Sequence, residues 1–162
     1  MKTINLTRGQ VALVDDEDYE WLNQWKWNAH WCEGTQTFYA VRHSETVNGK
    51  RHSIWMHRLI LGLEFGNPLQ GDHKEPSATL DNRRDNLRVA TRAQNMANRR
   101  PNRRGRSRYK GVCWHKARAR WCAQIAIEGI PKTLGCFSTE EDAYAAYCQA
   151  AKLLRGEFAR TA

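Results

Sequence analysis

No stretch of the sequence approaches the ~18 consecutive apolar residues of a membrane span. The nearest, Ile54 to Leu63, is broken by His57 and Arg58, so no membrane partner is expected. The opening residues MKTINLTRGQ carry no long apolar region behind their charge, which argues against a signal peptide there. Five cysteines (Cys32, Cys113, Cys122, Cys136, Cys148) are an odd number, and none forms a C-x2-4-C pair. Reduced thiols in a cytoplasmic protein are expected from that, with neither a zinc site nor a disulfide framework.

Acid is nearly absent where base is densest. Between Arg83 and Arg120 stand fourteen Lys or Arg against one acid, Asp85, which leaves twelve bases and sixteen acids for the rest of the chain. The formal charge of +9 therefore resides in one central block. That concentration is the footprint of a nucleic-acid binder, in which neutralised phosphates release counterions. A solvated basic linker is the plainer reading of the same charge. The 162 residues suffice for one compact domain or two small ones, and seven tryptophans favour two, because each fills much of a thin core.

Asp15, Asp16, Glu17 and Asp18 precede an apolar run in which Trp21 and Trp25 are four apart. This predicts a short helix that starts near Asp15 or Asp16. Phe38 to Arg42 and Ser53 to His57 read as strands, with Asn48-Gly49 as a tight turn between them. Leu87 to Ala90 resembles a strand, and Thr91 can cap a helix from Arg92 to about Asn98. Residues 99 to 108, RRPNRRGRSR, hold six arginines and no apolar side chain, so they cannot bury a core and read as linker.

Three strand candidates follow: Tyr109 to Trp114, Arg120 to Ile127, and Lys132 to Phe137. In the middle one Trp121, Ala123, Ile125 and Ile127 alternate with Arg120, Cys122, Gln124 and Ala126. A helix starting at Ser138 or Thr139, with three acids in its first turn, ends at Gly156. Such a helix covers one face of the sheet and leaves Arg118, Arg120 and Gln124 on the other.

Asp72-His73 is followed in order by Asn86 and Asn95. Strand, loop, strand and helix would bring the four together. Phosphodiester hydrolysis needs a metal to neutralise phosphate charge and a base to activate water. A carboxylate and an amide oxygen suit magnesium, which needs few protein ligands, and histidine suits the base. Each residue also has an ordinary role: Asp-His as a polar turn, Asn86 as a loop brace, Asn95 as an exposed helix residue.

DH, NRRDNLR and TRAQN in that order resemble the His-Asn-His (HNH) nuclease family in its His-Asn-Asn form, found in phage and intron-associated homing endonucleases. The resemblance runs from MHRLIL over about residues 56 to 98, and LTRGQVALVDDEDYEWLNQWKW is similar to the segment that precedes it in phage members. It implies a ββα-metal module with His73 as general base. Asp72 and Asn95 would hold one divalent cation, Mg2+ or alternatively Mn2+, and Asn86 would brace the loop and help orient His73. His57 reads as structural. Glu75-Pro76-Ser77 departs from the family loop, where an acid and a glycine are usual, and Glu75 becomes a secondary candidate ligand.

YKGV, the W-x-A-x-I strand, LGCF, EEDAYAAY and RGEFA resemble the APETALA-two or ethylene-response-factor DNA-binding domain. That family lays a three-stranded sheet in the major groove. By position Lys110, Trp114, His115, Arg118, Arg120, Gln124 and Thr133 would contact DNA, joined by the linker residues Arg99, Arg100, Arg103 and Arg104. Cys113 and Thr133 replace an arginine and a tryptophan of the plant pattern, so the target should differ.

The expected architecture is α+β. A ββα-metal nuclease module with an N-terminal helix and β-ribbon platform fills residues 1–98, an arginine-rich linker 99–106, and a three-stranded antiparallel sheet packed on one helix 107–160. The expected function is a monomeric, metal-dependent endonuclease acting on duplex DNA in the cytoplasm of a phage-infected bacterial cell, with no small-molecule cofactor. The alternative is a non-catalytic, sequence-specific DNA-binding regulator.

Overall fold

The computed structural model describes residues 1–46, 49, 51–98, 106–127, 129–159 and 161. The chain is α+β, built from small antiparallel sheets and short helices. It divides into two compact units, Met1–Arg92 and Ala93–Ala162. Among the described residues, no helix is long and apolar enough to cross a membrane.

The first unit opens with a ribbon that the sequence did not announce, β1 (Lys2–Asn5) against β2 (Val11–Val14). Helix α1 (Asp16–Leu22) follows, with Asp15 at its N-cap position and acids through its first turn. Acids favour that end because unpaired N–H groups leave it partly positive. The helix stops before Trp25, yet Trp25 still meets Trp21 edge-on at 6.2 Å. A three-stranded sheet comes next: β3 (Asn28–Cys32), β4 (Thr37–His43) and β5 (Ser53–Trp55) in sequence order. Of the Asn48-Gly49 turn, Gly49 has the positive φ such a turn demands, while Asn48 lies outside the described residues.

His57 is not a strand residue, as the aromatic run suggested. The chain turns at Met56 into helix α2 (Met56–Ile60), which buries Met56, His57 and Ile60 on a side that strand parity could not supply. Ile4, Val14, Leu22, Trp27, Met56 and Leu87 share one core. Trp27 is only 1% exposed, and its indole N–H donates to the Leu22 carbonyl at 2.9 Å, so burial leaves no polar atom stranded. The unit closes with the hairpin β6 (Gln70–His73) and β7 (Leu87–Ala90).

The second unit begins with helix α3, whose full span is Arg92–Asn98. The arginine-rich stretch that follows, including Arg99, Arg100, Arg103 and Arg104, lies outside the described residues apart from its last few positions. Strands β8 (Val112–His115), β9 (Arg120–Ile127) and β10 (Ile130–Phe137) form a sheet with β9 in the centre. Helix α4 (Glu140–Arg155) lies on one face and buries Ala143, Tyr147 and Ala151 against Val112, Ala123 and Ile125. Thr139 caps it, its hydroxyl oxygen accepting the Asp142 N–H at 3.1 Å.

One expectation about cysteine is overturned. Cys122 and Cys136 are joined in a disulfide with Cα atoms 4.0 Å apart, while Cys113 and Cys148 keep their thiols. Strand register is the cause, because it sets Cys136 directly opposite Cys122 across β9 and β10. Spacing along the chain carries no trace of that proximity.

Gly111 marks the tightest packing in this unit. Its φ is +72°, and a Cβ there would stand 2.2 Å from the Tyr147 ring and 2.7 Å from the Gln124 carbonyl. Gly111→Ala is expected to destabilise the second unit by about 2–5 kcal/mol, combining left-handed strain with overpacking, measured by urea unfolding followed through tryptophan fluorescence.

Candidate active site

Six of the eight buried polar residues among those described belong to the first unit: Asp18, His57, Asp72, His73, Thr79 and Asn82. Four lie in the β6–β7 hairpin and its loop, and the other two pack against it. Burying polar groups costs free energy unless each is paired, so this density calls for a network of partners around the hairpin.

Asp72 and His73 are neighbours on β6, and neighbours on a strand face opposite ways. Each is nevertheless buried, 6% and 4% exposed. His73 shares its face with Gly71, and there the rings gather. His57 lies 4.9 Å from His73, centroid to centroid, and Tyr39 lies 5.9 Å from both. Trp55 and His30 extend the cluster. Gly71 makes this approach possible, since a Cβ there would sit 2.6 Å from the His57 ring.

Burial pushes the His73 imidazole down to about 4, against the smaller upward pull of the Asn82 amide beside it and the Asp81 charge. His57 is driven well below its ordinary value by burial, then by the nearby His73 and Arg58 charges. Both rings are therefore neutral at physiological pH. A neutral imidazole has a lone pair to accept a proton, which a general base requires.

On the other face, β7 supplies Arg88 directly opposite Asp72. Arg88 Nε donates to Asp72 Oδ2 at 2.9 Å, and Nη2 lies 2.9 Å from the same oxygen. Sequence reasoning passed over Arg88, since only the observed strand register sets it opposite Asp72.

Asn86 is the hub of the intervening loop. Its Nδ2 donates to the carbonyls of Ala78 (3.2 Å) and Asp81 (2.8 Å), and its Oδ1 accepts the Glu75 N–H (3.0 Å). Its own carbonyl accepts the Lys74 N–H at 2.8 Å, one residue beyond His73. Within the loop, Glu75 Oε1 accepts from the Ser77 N–H at 3.0 Å and from the Ser77 hydroxyl, so Glu75-Pro76-Ser77 closes as a turn. Its carboxylate is used in shaping that turn.

The platform grips the same loop from outside. The Leu13 N–H donates to the Leu80 carbonyl (2.9 Å), and the Leu13 carbonyl accepts the Asn82 N–H (2.8 Å). Arg84 donates through Nε and Nη2 to the two oxygens of Asp18, while the Arg84 N–H donates to Asp15. Asp15 thus spends its carboxylate on the loop rather than on capping α1. Asp81 is held by the Arg83 side chain through two hydrogen bonds, of 2.8 and 2.6 Å, which hold its carboxyl pKa below the ordinary carboxylate range.

Asp72, His73 and Asn86 thus converge on one hairpin. Asn95 stands on α3, half-buried, in the second unit. Among the described residues, no three His, Cys, Asp or Glu side chains gather as a metal cluster. The buried carboxylate of Asp72 is a hard oxygen donor, of the type that suits Mg2+ or Mn2+ better than zinc.

In the second unit the register sorts the candidate DNA contacts. His115 is opposite Arg120, Gln124 is opposite Thr133, and all four are exposed on the sheet face away from α4. Arg118 is exposed as well, its Nη1 3.7 Å from Cys136 Sγ. Trp114 is placed otherwise. It pairs with Trp121 at 5.2 Å, on the side of the sheet that α4 covers. Lys110 directs its ammonium at the Ala97 carbonyl.

Two outcomes follow from this geometry. Both buried histidines titrate lower in the folded chain than unfolded, so their contribution to stability is full above pH 6.5 and is lost as pH falls below it. The urea midpoint should be flat above pH 7 and decline from pH 6.5 toward about 4, with a shallower decline in His57→Phe. Asn86→Ala should cost about 1–3 kcal/mol, since it strands carbonyls and an N–H in a half-buried loop, and amide exchange should quicken across residues 74–82.

No family model matches the chain, and no curated protein matches it.

Proposed function

We propose that the chain is a metal-dependent endonuclease that hydrolyses phosphodiester bonds in duplex DNA. The observation that carries this reading is a neutral, buried His73 set beside a buried Asp72 on a hairpin whose loop is fixed by Asn86. Its lone pair would take the proton of an attacking water. Asn86 keeps the backbone after His73 in place, so the ring is oriented before substrate arrives, and preorganisation of that kind saves the cost of ordering during reaction. Asp72 would hold a divalent cation, which would neutralise charge on the scissile phosphate and the departing 3′ oxygen.

The exposed face with His115, Arg118, Arg120, Gln124 and Thr133 supports a DNA-reading role for the second unit. Arginines suit phosphate and guanine, and Gln124 suits adenine. The chain's central basic block, with Arg99, Arg100, Arg103 and Arg104, would add sequence-independent affinity.

One observation favours a second reading, a DNA-binding regulator without catalysis. Asp72 is already paired with Arg88, and an ion pair alone would justify an acid at that position.

Supercoiled plasmid with Mg2+ separates the two. The nuclease reading expects nicked or linear product, none with a chelator, and a rate lower by roughly 10²–10⁴-fold in His73→Ala. Absence of strand breakage with both Mg2+ and Mn2+, or breakage indifferent to His73→Ala, would falsify it. Salt-dependent DNA binding without cleavage, unchanged in Asp72→Asn, would establish the regulator.

A further inference from the structure

We infer that Arg88 makes cation binding at Asp72 conditional on DNA, so that the chain acquires its divalent cation together with the phosphate rather than before it. This rests on the nuclease reading and adds an order of binding to it.

Three arginines of the hairpin face acids. Asp72 faces Arg88, and their side chains are only 7% and 9% exposed. Asp81 faces Arg83. Asp18 and Glu17 face Arg84. The buried carboxylate of Asp72 is therefore charge-compensated before any cation arrives.

The Arg88–Asp72 pair is specific in form. Two of the three guanidinium nitrogens, Nε and Nη2, lie 2.9 Å from one oxygen, Oδ2, and the hydrogen bond comes from Nε, so the carboxylate is held through that oxygen while its charge is matched. A cation arriving at Asp72 meets the positive charge of Arg88 across the same carboxylate, and repulsion over such a distance is strong in a site shielded from water. A DNA phosphate brought to the hairpin supplies the missing negative charge. Magnesium already favours this pattern, because it keeps its waters and takes one or two carboxylates plus substrate phosphate. Arg88 is thus a positioning residue that acts through Asp72.

The test measures Mn2+ binding by electron paramagnetic resonance, using the full chain with His73→Ala to prevent turnover. Binding is read with and without a short duplex spanning the phosphate cut in the plasmid assay. The chain alone should bind Mn2+ weakly, and the duplex should tighten binding by about 10–100-fold, the range over which groups behind a ligand shift metal affinity. Adding Arg88→Gln should tighten binding to the DNA-free chain by at least about tenfold, Arg88→Lys should leave it weak, and Asp72→Asn should abolish it. Circular dichroism checks that each variant folds. Should Arg88→Gln unfold, the comparison with and without duplex still decides, since it leaves Arg88 in place.

Equal Mn2+ affinity with and without duplex overturns the inference, as does a folded Arg88→Gln chain that binds no tighter. Either result with plasmid cleavage intact removes only this inference. A wild-type chain that cuts no DNA removes the nuclease reading and this inference together.

Discussion

The hydrogen bonds of one amide side chain, Asn86, hold the loop of the hairpin in shape. The loop between β6 and β7 has almost no regular secondary structure, so its backbone groups cannot satisfy one another in a ladder. Asn86 meets that need with both ends of its side chain, joining Glu75, Ala78 and Asp81 from a single position. His73 emerges one residue before the same network begins. Its geometry is thus a property of the whole loop and not of its own strand alone.

The N-terminal ribbon and helix extend that network. Asp18 is almost fully buried and has an arginine and an indole as its partners. Removing one partner of a buried ion pair costs more than the pair itself contributes, because the other charge is left stranded. The acids at 15 and 18 therefore commit the platform to the loop. Core packing around Trp27 and Met56 supports the hairpin from beneath, with Leu87 of β7 part of that same cluster. The aromatic cluster around His57 and His73 completes an enclosure in which neutral imidazole is the favoured form.

Much of this was legible in sequence, and the failures have physical causes. Strands β7 and β9 and helix α3 lie where alternation and capping put them. Asp72 and His73 stand on β6 of a hairpin whose loop ends at Asn86, whereas Asn95, expected beside them, belongs to the second unit. By contrast β1, β2 and β3 are short, and what makes them strands is pairing and core contact far along the chain. The side of the sheet taken by Trp114 depends on register with β9, which a propensity reading starting at Tyr109 does not fix. The Cys122–Cys136 bond was hidden for the same reason, since cross-strand neighbours are set by pairing rather than spacing. Arg88 was visible as one arginine among many, and only the register gives it a particular acid.

Gly71 has a different bearing. Polar residues of the hairpin can exchange for others of similar shape and leave the chain folded, so their chemistry is open to gradual change. Position 71 offers no such gradation, because the smallest added carbon already overlaps the His57 ring. The ring could yield only by displacing its neighbours, His73 among them. Across divergent versions of this chain, the invariance of a residue with no functional group would be the surest sign that the two imidazoles remain in contact.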